Sequence, residues 1–169
     1  MKTLLNILIV SALLVLGVIF RSEKSRTEKA ETISRSSIEK KIILTPTSLL
    51  LNEGRRLDIL SLRGKQHETL QRAAESHAKY QAKIGIQGHQ RWDERYAILQ
   101  SQLPGFRFSE VCNESWPGQS EEDAAKEMFR SWKLSSGHWA TVNGECTYYG
   151  YAMVLGRNGI WYACGVVAK

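Results

Sequence analysis

The feature that most constrains this chain lies at its start. Thr3 to Phe20 (TLLNILIVSALLVLGVIF) carries no charge over eighteen residues, and only Thr3, Asn6 and Ser11 interrupt its apolar character. Lys2 and the amino terminus precede it, the layout of a secretory signal, and the run also just reaches the length of a membrane-spanning helix. Val15-Leu16-Gly17 is the best candidate for a small-residue cleavage site, so a cleaved signal and an uncleaved anchor both fit. Arg21, Lys24 and Arg26 follow the run, whereas the positive-inside rule places more charge ahead of it, so charge does not choose between the two. No cysteine lies near the leader, which excludes a lipoprotein anchor, and the residues that follow are too polar to pack around a buried core helix. Residues 1–20 are therefore expected to take the rest of the chain to an extracytoplasmic location: secreted, periplasmic or held at a membrane.

Residues 21–44 are rich in Ser, Thr, Glu, Lys and Arg, and their few apolar side chains show no sustained period. They read as a solvated tether. What remains, 45–169, is near the modal size of one domain and too short for two. Five Trp, six Tyr and four Phe, nearly all after Tyr80, supply bulky apolar surface for a core. Of the net charge of +6, four units belong to residues 1–44. A domain left with +2 lacks the dense basic face that phosphate backbones require, so nucleic acid is excluded as an expected partner.

Thr45-Pro46 is a helix entry, Thr as N-cap and Pro at the first helical position, and SLLLNEGRRLDIL carries a helix to about Leu60. Leu70, Ala73, Ala74, His77, Ala78, Gln81 and Ile84 recur at helical spacing with Gly85 as C-cap, predicting a helix over 67–84. WDERYAILQ predicts a short helix that Pro104-Gly105 ends. FRFSEVCNESW alternates as a strand, placing Phe106, Phe108, Glu110, Cys112, Glu114 and Trp116 on one face, two carboxylates among them. Ser120 opens a third helix in which Asp123 occupies the reciprocal capping position and Ala125, Met128, Phe129 and Trp132 form a stripe. YYGYAMVL and IWYACGVV flank Asn158-Gly159, a hairpin signal. The order predicts an α+β domain with a small antiparallel sheet covered by helices.

In sequence order LLLNEGRRLDIL, HETLQRAAESHAKYQAKIG, IQGH, SEVCNESW, FRSWKLSSGHW and YYGYAMVLGRNGIWYACGVV together resemble the CAP superfamily, the SCP-like domains of cysteine-rich secretory proteins, insect venom antigens and plant pathogenesis-related proteins. The resemblance spans about Ser48 to Val167, and its most specific piece is Trp132, Ser135, Gly137 and His138, which is similar to bacterial members. It implies an α-β-α sandwich with a central cleft, often lined by two histidines and two glutamates that hold a divalent metal. By motif position the histidines are His89 and His138 and the strand glutamate is Glu110, with Glu114 exchanging roles under a shifted alignment. The second glutamate is replaced by Ser135. Trp139, next to His138, is expected at the cleft wall.

His89 and His138 are suitable zinc ligands, and two ligands alone hold metal weakly. Glu110 is a candidate third ligand, a partner orienting an imidazole, or a base on bound water. With one glutamate missing, the resemblance implies a cleft that recognises an extracytoplasmic ligand, with zinc or another divalent metal, without catalysis. The alternative is a metal-assisted hydrolase of peptide or cell-envelope polymer using His89, His138 and Glu110; no H-E-x-x-H supports it. His77, on the apolar face of its helix, reads as a hydrogen-bonded core residue, and His67 as a surface residue near a helix start.

Cys112, Cys146 and Cys164 permit one disulfide and a leftover thiol. A two-residue Asn158-Gly159 turn pairs Arg157 with Ile160 and sets Cys164 opposite Met153, leaving Cys146 roughly 20 Å away, beyond disulfide reach of about 7 Å. Pairing through Cys112 is favoured. Thiol catalysis is disfavoured because no sequence pattern ties His89 or His138 to a cysteine.

Overall fold

A computed structural model describes residues 45–169. The expected leader (1–20) and tether (21–44) lie outside the described residues. Among the described residues, no helix is long and apolar enough to cross a membrane.

The chain forms α1 (Pro46–Arg56), a short 3-10 turn (Leu60–Arg63), β1 (Lys65–Gln66), α2 (Glu68–Ile84), α3 (Trp92–Gln102), β2 (Phe108–Glu114), α4 (Glu121–Leu134), α5 (Ser136–Val142), β3 (Tyr148–Leu155) and β4 (Trp161–Ala168). The sheet order is β1-β3-β4-β2. β3 and β2 each pair antiparallel with β4, and β1 adds two residues parallel to β3, so the sheet is mixed rather than wholly antiparallel.

Capping chemistry sets the helix ends. Thr45 and Ser48 bond reciprocally at the start of α1, and Pro46 sits in its first turn. α1 stops at Arg56, short of the expected Leu60, because Asp58 takes a left-handed backbone conformation (φ 54°). α2 starts one residue after His67, whose ring nitrogen Nδ1 accepts from the Thr69 N–H at 3.2 Å, and ends on left-handed Gly85. Ser120 caps α4, its hydroxyl donating to Asp123 and accepting from the Asp123 N–H. β1, the 3-10 turn and α5 carry too few residues to show a period and went unpredicted.

Strand alternation sorts the core into two layers. On one side Phe108, Cys112, Cys164, Val166, Ala168 and Ala152 pack against Leu70, Ala74 and Ala78 of α2 and Leu99 of α3. On the other, Val111, Ala163, Val167, Tyr151 and Met153 pack against Leu50 and Leu51 of α1 and Met128, Phe129 and Trp132 of α4. The result is the expected α+β fold, helices covering both faces of a small sheet. Each fully buried Leu or Phe contributes about 1.5–3 kcal/mol, so both layers are needed for a stable unit. Gly150 lets α2 approach β3: a Cβ there would meet the Leu70 carbonyl carbon at 2.3 Å.

The terminal hairpin forms, one position off the expected register. Gly156 N–H donates to the Ile160 carbonyl, and Gly159 is left-handed (φ 74°), giving a three-residue loop where the sequence pointed to two. Cys164 therefore lies opposite Ala152, not Met153. The extra residue turns Cys164 onto the α2 side.

Candidate functional site

The site is built where the α2–α3 loop meets the outer strand β2. Two buried polar residues of α2 hold that loop. Gln81 accepts from the Gly88 N–H at 3.0 Å and donates to the Ala163 carbonyl at 3.3 Å, while His77 Nε2 donates to the Gly88 carbonyl at 2.7 Å. His77 is thus the hydrogen-bonded core histidine its helix position indicated. The loop so fixed carries His89 over β2.

Glu110 is the hub, its side chain only 1 % exposed. His89 Nδ1 donates to Oε1 at 3.0 Å, and Arg95 of α3 forks onto both carboxylate oxygens at 2.7 Å from Nη2, with Nε at 3.1 Å from Oε2. The same guanidinium also bonds the Gln90 carbonyl, tying α3 to the loop. Cys112 Sγ lies 3.6 Å from Oε1 and Cys164 Sγ 3.8 Å from Oε2. A carboxylate buried among apolar residues persists only when paired and hydrogen-bonded in this manner.

The second histidine arrives from the opposite helical layer. Ser135 N-caps α5, its hydroxyl accepting from the His138 N–H at 3.5 Å, and α5 packs against α4 and β2. Trp132 of α4 donates its indole N–H to the Cys112 carbonyl at 3.3 Å, which fixes α4 on the strand that carries the site. The His89 and His138 ring centres come to 5.9 Å with planes inclined 46°. Two imidazoles on one zinc at about 2.0–2.1 Å have ring centres roughly 5 Å apart, so this pair is within a side-chain adjustment of sharing a cation.

Electrostatics follow from the packing. Burial pushes the Glu110 carboxyl up, but the hydrogen bonds from His89 and Arg95 outweigh it and hold the group below the usual carboxylate range. Cys112 is brought down to about 5 by its hydrogen bonds to Cys164, then His77 and His89, against the opposing effect of burial. Cys164 is pushed up by burial and by Cys112. His89 is raised to about 10 by Cys112 and Glu110, whereas burial and the charge on His89 lower His138. Burial pushes His77 down, but Cys112 and the Gly88 carbonyl leave it raised overall.

A family model for the cysteine-rich secretory protein family, CAP, matches residues 52–166. The chain belongs to the CAP family. The fold of this CAP domain is similar to that of an outer surface protein from Borrelia burgdorferi, with a TM-score of 0.52 and 14% identity, covering 73% of this chain and 88% of the other. No curated protein matches the chain in sequence.

Of the residues expected at the CAP cleft, His89, Glu110 and His138 converge. Glu114 shares the strand face of Glu110 but is exposed at the end of β2. Ser135 serves as a helix cap. Trp139 lines a different groove, of about 550 Å³, among Leu57, Phe129, Arg130 and Lys133, because α5 turns successive side chains to different faces.

Three features escaped the sequence reading. Arg95 gave no signal, since its partner is fifteen residues away on another element. His77, Glu110 and Cys112 present ligand atoms within 4.8 Å of one another, a group able to hold a metal ion. The expected disulfide through Cys112 is corrected: all three cysteines are free, and half-buried Cys146 instead donates to the Ser61 carbonyl at 3.2 Å.

Proposed function

We propose that this protein is an extracytoplasmic CAP-domain binding module, secreted or held at a membrane by residues 1–20, whose cleft between His89 and His138 recognises a ligand with the help of a divalent cation and performs no catalysis. The observation that carries this reading is the Arg95 fork. It occupies both oxygens of Glu110, the carboxylate hydrogen-bonded to His89, and the Glu110 side chain is only 1 % exposed. A carboxylate so neutralised and shielded is a poor base for water in the cleft. It is well suited to orienting His89, because accepting the Nδ1–H leaves Nε2 as the ligand nitrogen. The family name, an outer surface protein of similar fold and the apolar leader all support an extracytoplasmic site of action.

Zinc titration calorimetry on the full chain tests the metal half. Uptake near one equivalent is expected, falling at least about tenfold in affinity for His138→Ala. Undiminished zinc binding after both His89→Ala and His138→Ala would defeat the reading. Hydrolysis of peptides or peptidoglycan that disappears in both Glu110→Gln and His89→Ala would instead establish the hydrolase alternative.

A further inference from the structure

Three turns meet at one end of the sheet, and apolar side chains there face solvent. The tip of the β3–β4 hairpin is the centre of this end. The Gly118 N–H donates to the Gly159 carbonyl at 3.0 Å, which fastens the β2–α4 loop to the tip. On the other flank lies Gly85, the cap of α2, where a Cβ would stand 3.4 Å from the Asn158 amide nitrogen. Trp116 is 63 % exposed, Ile86 59 % and Leu155 50 %, with Ile84 on the last turn of α2. Eight large apolar side chains are exposed among the described residues, and these four share one end. The backbone of Trp116 is pinned: its N–H donates to Gln119 Oε1 at 3.0 Å and its carbonyl accepts from the Ser115 hydroxyl at 2.9 Å. Left-handed Gly118 (φ 76°) closes the turn. The indole is thus held outward, and an exposed apolar group of this size gathered with others marks a contact surface.

We propose that this end is a lipid-docking surface, on which Trp116, Ile84, Ile86 and Leu155 enter the interface of the bilayer that holds residues 1–20. The inference rests on the reading of those residues as an uncleaved anchor. The place where the chain enters the domain argues for the bilayer as occupant. The Met153 N–H donates to Thr47 Oγ1 at 3.3 Å, so Thr45, to which residues 21–44 connect, lies beside the end of β3 that leads to Leu155. The attachment point and the apolar end are therefore on the same side of the domain. Residues 21–44 can reach no further than about 85 Å, which keeps the domain at the membrane and lets a patch too small to bind by itself act there. Tryptophan favours the headgroup boundary, where its ring is partly immersed and its N–H stays wet. Charge is not the attraction. Lys83 and Arg157 are exposed at this end, but so are Glu114 and Glu122, so contact should not require anionic lipid. Ile86 precedes His89 by three residues on one loop, so docking holds the His89–His138 cleft beside the lipid surface.

The full chain reconstituted into phosphatidylcholine vesicles tests this by tryptophan fluorescence, with bromine on the lipid acyl chains as quencher. Residues 1–20 contain no tryptophan, so the signal comes from the domain. Quenching by brominated lipid is expected, unchanged when phosphatidylglycerol is added. It should be largely lost in Trp116→Phe, and reduced in Ile86→Asp although Trp116 is still present; both are surface changes that the fold tolerates. Protein that floats with the vesicles but shows no bromine quenching, or whose quenching survives Trp116→Phe, would overturn the docking surface and leave the anchor standing. Protein that does not float with them would remove the anchor and this inference together. Trp116 shielded from aqueous acrylamide without bromine quenching, in chains that cross-link as dimers, would assign the end to a second copy and likewise overturn it.

Discussion

Replacing Arg95 by methionine tests the hub of the site. The substitution keeps most of the stem's apolar volume and removes the fork, leaving Glu110 buried with His89 as its main partner. The Glu110 side chain is 1 % exposed and that of Arg95 16 %, so water replaces little of the lost interaction. Breaking a buried pair by removing one partner costs about 3–5 kcal/mol, most of it the penalty of the charge left behind. With a urea m value of about 1–3 kcal/mol per molar, the denaturation midpoint should fall by at least roughly 1 M. Arg72→Ala, in an exposed pair with Glu68, should leave the midpoint nearly unchanged. The deficit also has a sign in pH. Without Arg95, burial drives the Glu110 carboxyl upward, so acidification neutralises it and the gap to wild type should narrow from pH 7 towards pH 4. Adding Glu110→Gln to Arg95→Met should recover part of the loss at pH 7, because no unpaired charge remains. A loss for Arg95→Met no larger than that for Arg72→Ala, or a gap independent of pH, would refute the claim that Glu110 is a buried carboxylate held by this fork.

Two further outcomes follow from the packing. The metal-free protein should show a stability plateau within the range of about pH 6.5 to 9: folding raises His89 from 6.5 to about 10 and lowers Cys112 from 9.0 to about 5, so this pair exchanges no net proton with solvent there, and the plateau begins once His77, also raised, has given up its proton. Stability should fall below the plateau, where the unfolded histidine holds an extra proton, and above it, where the unfolded thiol has lost one; chemical denaturation across pH checks this, and a steady slope through the window would contradict it. Gly150→Ala should cost about 1–3 kcal/mol or more in thermal or urea unfolding, because its Cβ would meet backbone atoms of Leu70 and Gln71 at 2.3 Å and backbone cannot rotate away; an unchanged midpoint would mean α2 does not press on β3 as described.

The parts legible in the sequence are those written in neighbouring residues. Thr45-Pro46, Ser120 with Asp123, and Gly85 announce helix ends because capping is a contact between residues a few positions apart. The stripe through Leu70, Ala74, His77 and Ala78 identified the buried face of α2 because helical spacing alone decides which side chains share a side. His89, Glu110 and His138 were reached by their resemblance to a family pattern; no spacing rule joins residues that far apart.

Tertiary structure decided the rest. One added residue in the Gly156–Ile160 loop moved Cys164 to the other sheet face, a change that composition does not register but that a period-two strand amplifies into a full reversal. The meeting of Cys164 with Cys112 depends on which strand lies next to β4, and that the sequence does not state. Arg95 carries no local sequence signal; only the close approach of α3 to β2 made it the partner of a buried carboxylate. By itself, then, the sequence determined the longer elements, several of their caps, their apolar faces and the family. Long-range packing decided which polar groups left water together, and with that the partners of Glu110, because the charge and basicity of a carboxylate depend on the groups that surround it.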